Sequence, residues 1–187
     1  MGNRTLSLLL LVFCVLLVAT PAHAEKAFIS DIVVTNTPDN LLLYFSVNNC
    51  FTAEMNAAIE SGIDTTFTFL IKLYEKRTFI WDRKLVDLEI SHSIKYDQLK
   101  NLYEVRLSEQ NGKAFVVKSF EEAKRLMAEV AALQVAAIQE LQRGGRYRIQ
   151  MKAELNKIQL PLSLHYVFFF LSLWDFETDW HSVDFRY

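Results

Sequence analysis

Four residues near the C-terminus carry side chains suited to chemistry: Asp175, Glu177, Asp179 and His181. They alternate, so on an extended strand they would share one face at intervals of about 6.6 Å, twice the rise per residue. Such a row of like charges repels itself unless cations stand close. One reading is a divalent ion held by carboxylate oxygens, with the chain bent to gather its ligands. The other is a solvated acidic loop leading into a final strand. The segment lacks the glycine-centred spacing of a calcium loop, which favours the solvated loop, and no metal or cofactor is expected. Arg146, Arg148 and Lys152 could face the row across a sheet. Trp174 and Trp180 bracket the acids, and contact with a partner or ligand is expected between Phe169 and Trp180.

Other reactive residues are scattered. His92 stands among Val86, Leu88, Ile90 and Ile94, where a buried, hydrogen-bonded imidazole is the expected state. His165 sits at the polar edge of an apolar run. No G-x-S-x-G elbow, H-E-x-x-H, P-loop or C-x-x-C occurs, so the sequence leans against an enzyme. The alternative is a small-ligand-binding or hydrolytic domain using the edge formed by Asp175, Glu177, Asp179 and His181. Trp81, Trp174, Trp180 and the phenylalanines fall mostly at alternating spacing, and are expected in the core.

The elements that must position these residues read mainly as strands. Phe28 begins a β-branched run, and Thr37-Pro38-Asp39-Asn40 is a turn by composition. Leu41, Leu43, Phe45 and Val47 then alternate with polar or smaller side chains. Phe67, Phe69, Ile71 and Leu73 line one face of the clearest strand, and the alternation resumes from Val86 to Tyr96. Tyr103, Val105 and Leu107 lead to Asn111-Gly112, a hairpin signal. Tyr147, Ile149, Met151, Ala153 and Leu155 alternate with a basic outer face. His181, Val183, Phe185 and Tyr187 share the face of a last strand. Two helices interrupt this pattern. Thr52 caps a short one that stops at Gly62. Ser119 and Glu122 form a capping box for a second, expected to run to about Leu133 on Ala123, Leu126, Met127, Val130 and Leu133. The fold class is therefore mainly β, an antiparallel β-sandwich or open barrel of about seven to nine strands with about two helices.

Residues 160–174 form the most apolar run after the N-terminus. As a helix the run would reach about 22 Å, short of a bilayer. Burial as a central strand is favoured over use as a membrane or partner interface, because so many exposed aromatics invite aggregation. The N-terminus reads as a processing signal: Arg4, a 14-residue apolar core from Leu6 to Ala19, then Ala22-His23-Ala24. Cleavage is expected after Ala24, leaving one domain over residues 25–187 in the periplasm. Loss of Arg4 takes 20 basic residues to 19 against 22 acidic, a net charge of −3. That charge gives no case for nucleic acid. Cys50 would be the only cysteine of the processed chain, so an internal disulfide is excluded and a buried thiol expected.

The run CFTAEMNAAIESGIDTTFTFLIKLYEKR, then Trp81-Asp82, GGRYRIQMKAEL before LPLSL, and the segment between Trp174 and Trp180 resemble the bacterial domain of unknown function 4390. The resemblance implies an exported, single-domain protein of Gram-negative bacteria whose genes lie near a nitrogen-type sensor kinase. It implies no activity and carries over no functional residue. The expected function is a non-catalytic interaction module of the cell envelope. Its expected partner is the inner-membrane surface, another envelope protein or the exported domain of a membrane sensor.

Overall fold

The computed structural model describes residues 26–156 and 176–187. The expected signal segment, the apolar run 160–174, and Phe169, Trp174 and Asp175 with it, lie outside those residues. Within them the chain order is β1 (Phe28–Asn36), β2 (Asn40–Asn48), α1 (Ala53–Glu60), β3 (Thr65–Glu75), β4 (Arg83–Asp97), β5 (Leu102–Leu107), β6 (Lys113–Val117), α2 (Phe120–Ala128), β7 (Glu129–Ala137), β8 (Arg146–Leu155) and β9 (His181–Arg186). The strands form two antiparallel sheets that do not close into a barrel. One is ordered β1-β2-β7 and the other β6-β5-β4-β3-β8-β9.

The alternating pattern decides the faces. Phe67, Phe69, Ile71 and Leu73 of β3 are fully buried, as are Ile149, Met151 and Ala153 of β8. Leu41, Leu43, Phe45 and Val47 of β2 face them from the smaller sheet. The two layers touch where Phe45 meets Phe69 edge-on, with ring centroids 5.7 Å apart. One contiguous apolar core includes residues from both sheets and both helices.

Local signals set the ends of the elements. Thr37 Oγ1 accepts from the Asn40 amide at 3.0 Å and closes the β1–β2 turn. Thr52 Oγ1 accepts from the Met55 amide at 3.2 Å and caps α1. Gly62, at φ +85°, ends that helix, and the Ile63 amide returns to the Ala58 carbonyl at 3.1 Å. Ser119 Oγ accepts from the Glu122 amide at 3.4 Å at the start of α2.

The second helix is shorter than its sequence implies. It stops at Ala128, and the residues expected to continue it form β7, the edge strand beside β2. The pairs Phe45↔Val130 and Leu43↔Leu133 advance two residues along β2 but three along β7, so β7 carries a bulge. Ala132 sits in it at φ +54°. The bulge places Val130, Leu133 and Val135 inward. A spacing of three imitates a helical stripe when it follows Met127, and tertiary pairing with β2 overrides the helix propensity of the alanines.

Candidate functional site

The acidic edge is distributed rather than gathered. Glu177 forms an isolated bridge with Glu154, whereas His181 pairs with Met151. The first pair sums to one residue less than the second, so the register slips between them and Glu177 and His181 do not share a face. Phe176 packs edge-on against Phe67, with centroids 4.7 Å apart. Thr178 is buried: its amide donates to the Ala153 carbonyl at 2.9 Å and its Oγ1 accepts from the Ala153 amide at 3.0 Å.

Each described acid of the edge has a cation. Lys152 Nζ lies 2.6 Å from Glu177 Oε1 and 3.2 Å from Glu154 Oε2. The bond to Glu177 raises the Lys152 ammonium above its usual value against a smaller desolvation cost, and Glu154 adds to it. Asp179 Oδ1 is 3.2 Å from Lys26 Nζ on the exposed surface. Lys72 Nζ stands 4.5 Å over the Trp180 ring. His181 is exposed. Among the described residues no three His, Cys, Asp or Glu side chains converge on a point that could hold a metal ion. The arrangement fastens the segment entering β9 to β8. The expectation that Lys152 faces the acidic row holds for Glu177, while Arg148 turns to Asp184 instead.

His92 is buried on β4 between the two layers. Its Nδ1 donates to the Met127 carbonyl at 3.1 Å, at the last turn of α2. Its Nε2 lies 3.0 Å from Glu109 Oε1, in the connection between β5 and β6. Its ring also meets Phe69 edge-on at 4.7 Å. Burial works to raise the Glu109 carboxyl, but the hydrogen bond and charge of His92 together outweigh it and hold the group below its usual value. His92 thus ties β4, the β5–β6 connection and the α2–β7 junction together. Cys50 is buried with Sγ 3.4 Å from the Val47 carbonyl. Desolvation pushes its thiol up to about 12, so at neutral pH it is a small apolar group and not a nucleophile.

The feature that composition did not reveal is the tip of the β3–β4 hairpin. Trp81 and Trp180, expected in the core, are 95% and 40% exposed. Beside Trp81, Phe79 is 95% and Ile80 63% exposed. The polar groups of the loop fix its shape. The Arg77 amide donates to Asp82 Oδ1 at 3.2 Å, and Arg146 Nη2 donates to Thr78 Oγ1 at 3.1 Å. Glu75 Oε2 accepts from Arg83 Nε at 2.9 Å and from Arg77 Nη2 at 3.3 Å. The apolar side chains therefore project from a braced loop.

Basic residues ring this tip because the register brings four strand ends together. Glu75 pairs with Arg83 on one side and Tyr147 on the other, and Arg146 pairs with Arg186. Asp184 takes a two-pronged bond from Arg148, with Nε at 2.7 Å and Nη2 at 3.2 Å, and a third from Lys76 at 2.7 Å. Arg148 and then Lys76 hold its carboxyl far below the usual range. A shallow cleft of about 370 Å³ beside the hairpin is lined by Lys76, Arg146 and Arg186 with Asp184, Tyr147 and Phe185. The sequence does hold a signal for this site. Residues 76–82 join two strands without a glycine, proline or asparagine, yet contain Phe79-Ile80-Trp81 between Lys76-Arg77 and Asp82-Arg83-Lys84. A tight turn would use the missing residue types, and three large apolar side chains in their place mark a loop with another task.

No helix among the described residues is long and apolar enough to cross a membrane. No curated protein and no solved structure matches the chain. The model of the domain of unknown function DUF4390 matches residues 24–184, most of the chain, and the protein belongs to that family.

Proposed function

We propose that this protein is a non-catalytic interaction module of the cell envelope that engages its partner through the β3–β4 hairpin tip. One observation carries the reading: Phe79, Ile80 and Trp81 are exposed together on a loop whose Arg77 amide, Thr78 hydroxyl and Asp82 carboxylate are hydrogen-bonded within the domain. Single exposed apolar residues are ordinary, whereas a contiguous exposed apolar patch marks an interaction site. Export to the periplasm, with removal of residues 1–24, is part of the proposal. It rests on Arg4, the apolar core and Ala22-His23-Ala24. A partner of envelope origin fits that compartment, whether the inner-membrane surface or the exported part of a membrane sensor.

Site-specific photocrosslinking in the cell tests the reading. A photoreactive phenylalanine analogue replaces Phe79 in one strain and Leu99 in another. Leu99 is 99% exposed in the β4–β5 turn, at the opposite end of β4. The expected outcome is an adduct to protein or to lipid, identified by mass spectrometry, from position 79 and none from position 99. No adduct from position 79, or equal labelling from both, rejects the tip as the interaction site.

A further inference from the structure

We propose that the partner of the hairpin tip is an anionic phospholipid surface: Phe79, Ile80 and Trp81 enter the boundary between headgroups and acyl chains, and the surrounding cations meet lipid phosphates. This inference rests on the preceding reading of the tip as the interaction site and names the partner.

Charge is the first argument. The loop and the adjoining strand ends carry seven basic residues, Lys76, Arg77, Arg83, Lys84, Arg146, Arg148 and Arg186, against four acids, Glu75, Asp82, Asp87 and Asp184. That end is +3, and the chain without residues 1–24 is −3, so the remainder is −6. A molecule divided in this way is turned by an anionic surface until its basic end faces the lipid, and the acidic remainder is kept away. The internal pairing does not consume the cations. Glu75 serves both Arg77 and Arg83, Asp184 serves both Lys76 and Arg148, and Lys84 is paired with Asp87 at 2.6 Å. Arg146 and Arg186 have no carboxylate partner among the described residues, and both line the cleft beside the hairpin. A headgroup phosphate has the charge and donor demand that cleft supplies.

Geometry is the second argument. The tip presents three consecutive large apolar residues with cations set behind them. A bilayer has the matching order, with phosphates outside and acyl chains inside, and tryptophan favours the layer between. Interfacial binding of this kind adds buried apolar area to attraction for anionic lipid. Phe79 and Trp81 bury at most roughly 500 Å² between them, and Ile80 adds less than either ring at its largest. That is less than the ~800 Å² each partner contributes to a standard protein interface. The membrane surface, which gains from both the wedge and its basic surround, is the better match.

The test follows one tryptophan. In a variant with Trp174→Phe and Trp180→Phe, Trp81 is the sole tryptophan. Phosphatidylcholine vesicles containing phosphatidylglycerol are expected to shift its emission to the blue, and bromine-labelled acyl chains to quench it. Pure phosphatidylcholine is expected to do much less. High salt, where the Debye length is about 3 Å, should weaken the binding. On the otherwise native sequence, Phe79→Ser with Ile80→Ser and Trp81→Ser should lower vesicle partitioning by about tenfold or more, since most of the inserted apolar area is lost. Arg146→Glu with Arg186→Glu should lower it by a similar factor on anionic vesicles alone. Far-UV circular dichroism checks that both variants are folded.

Unchanged partitioning of the serine variant would overturn the inference, because another segment would then carry the membrane contact. So would a Trp81 emission indifferent to anionic lipid. If position 79 crosslinks a protein while vesicles leave Trp81 unmoved, the lipid assignment falls and the tip remains the interaction site. If position 79 crosslinks nothing in the cell, both fall.

Discussion

At the residue scale, His92 and Glu109 show how two titratable groups become structural. His92 Nδ1 lies 3.1 Å from the Met127 carbonyl and its Nε2 3.0 Å from Glu109 Oε1, so the ring bridges the two through both nitrogens. The Glu109 carboxyl is lowered in the fold from its usual 4.5. A depressed carboxyl adds stability that is present above the unfolded value and is lost as pH falls through the folded one. Unfolding in urea should therefore show stability falling below about pH 4.5, with Glu109 among the groups responsible. Glu109→Gln keeps the volume but gives up the charge opposite His92. It is expected to cost about 2 kcal/mol at neutral pH, in the range for a buried bond to a charged group, and to flatten the acid limb of the profile. An acid limb of unchanged slope in Glu109→Gln would show that other carboxylates set it. The His92 setting was legible in the sequence, because a histidine inside an alternating apolar run needs a buried partner. Glu109 was not, since nothing in sequence links position 109 to position 92 until β5 pairs back on β4.

At the scale of elements, strands that alternate over most of their length were readable, and β7, whose bulge falls among helix-favouring residues, was not. β2, β3, β4 and β8 keep a two-residue period against a dry core, so their faces follow from the sequence. β7 hides because its bulge shifts the period, and its alanines, glutamine and leucine favour a helix. The approach to β9 is obscured in the same way. The slip between Glu177 and His181 breaks the shared face that even spacing implies, and Lys152 and Lys26 take up the acids separately. The hairpin tip is hidden in the sequence for a different reason: aromatic residues are usually core, and only the register shows that Phe79 and Trp81 fall where no second layer covers them. Ala132 gives a test with a definite sign. It holds φ +54° in the β7 bulge, where an L residue with a Cβ is strained by roughly 1 kcal/mol or more. Ala132→Gly should therefore raise the unfolding midpoint by the equivalent of about 0.5–1 kcal/mol, the gain reduced by the greater freedom of glycine in the unfolded chain. Had α2 continued to Leu133, the same change would cost about 1 kcal/mol. A destabilised Ala132→Gly would refute the bulged strand.

At the scale of the whole molecule, the question is whether a three-stranded sheet and a six-stranded sheet open as one body. The smaller sheet has little to hold it alone: its apolar side chains share one core with the larger sheet and the two helices. The joint is both apolar and polar. Phe45 meets Phe69 across the layers, and the Nδ1 bond from His92 on β4 to the Met127 carbonyl fastens the large sheet to the start of β7. Opening β2 and β7 alone would expose Leu43, Phe45, Val130 and Leu133, and uncover the opposite face of β3 at the same time. Each fully buried side chain of that kind contributes about 1.5–3 kcal/mol, so a local opening would forfeit much of the stability of a domain this size. Central amides of β2 are therefore expected to exchange hydrogen with the same opening free energy as those of β3, and to respond to urea with the same slope. β1, β6 and β9, at the sheet edges or near the chain ends, should exchange earlier through local fraying. Protection in the central strand β2 that fails at lower denaturant than protection in β3 and β8 would mean that the layers are separate cooperative units. The hairpin tip, which contributes no buried side chain, should leave this hierarchy unchanged when Phe79 and Trp81 are replaced by serine. That independence is what allows a loop to carry three large apolar residues outward without weakening the scaffold behind it.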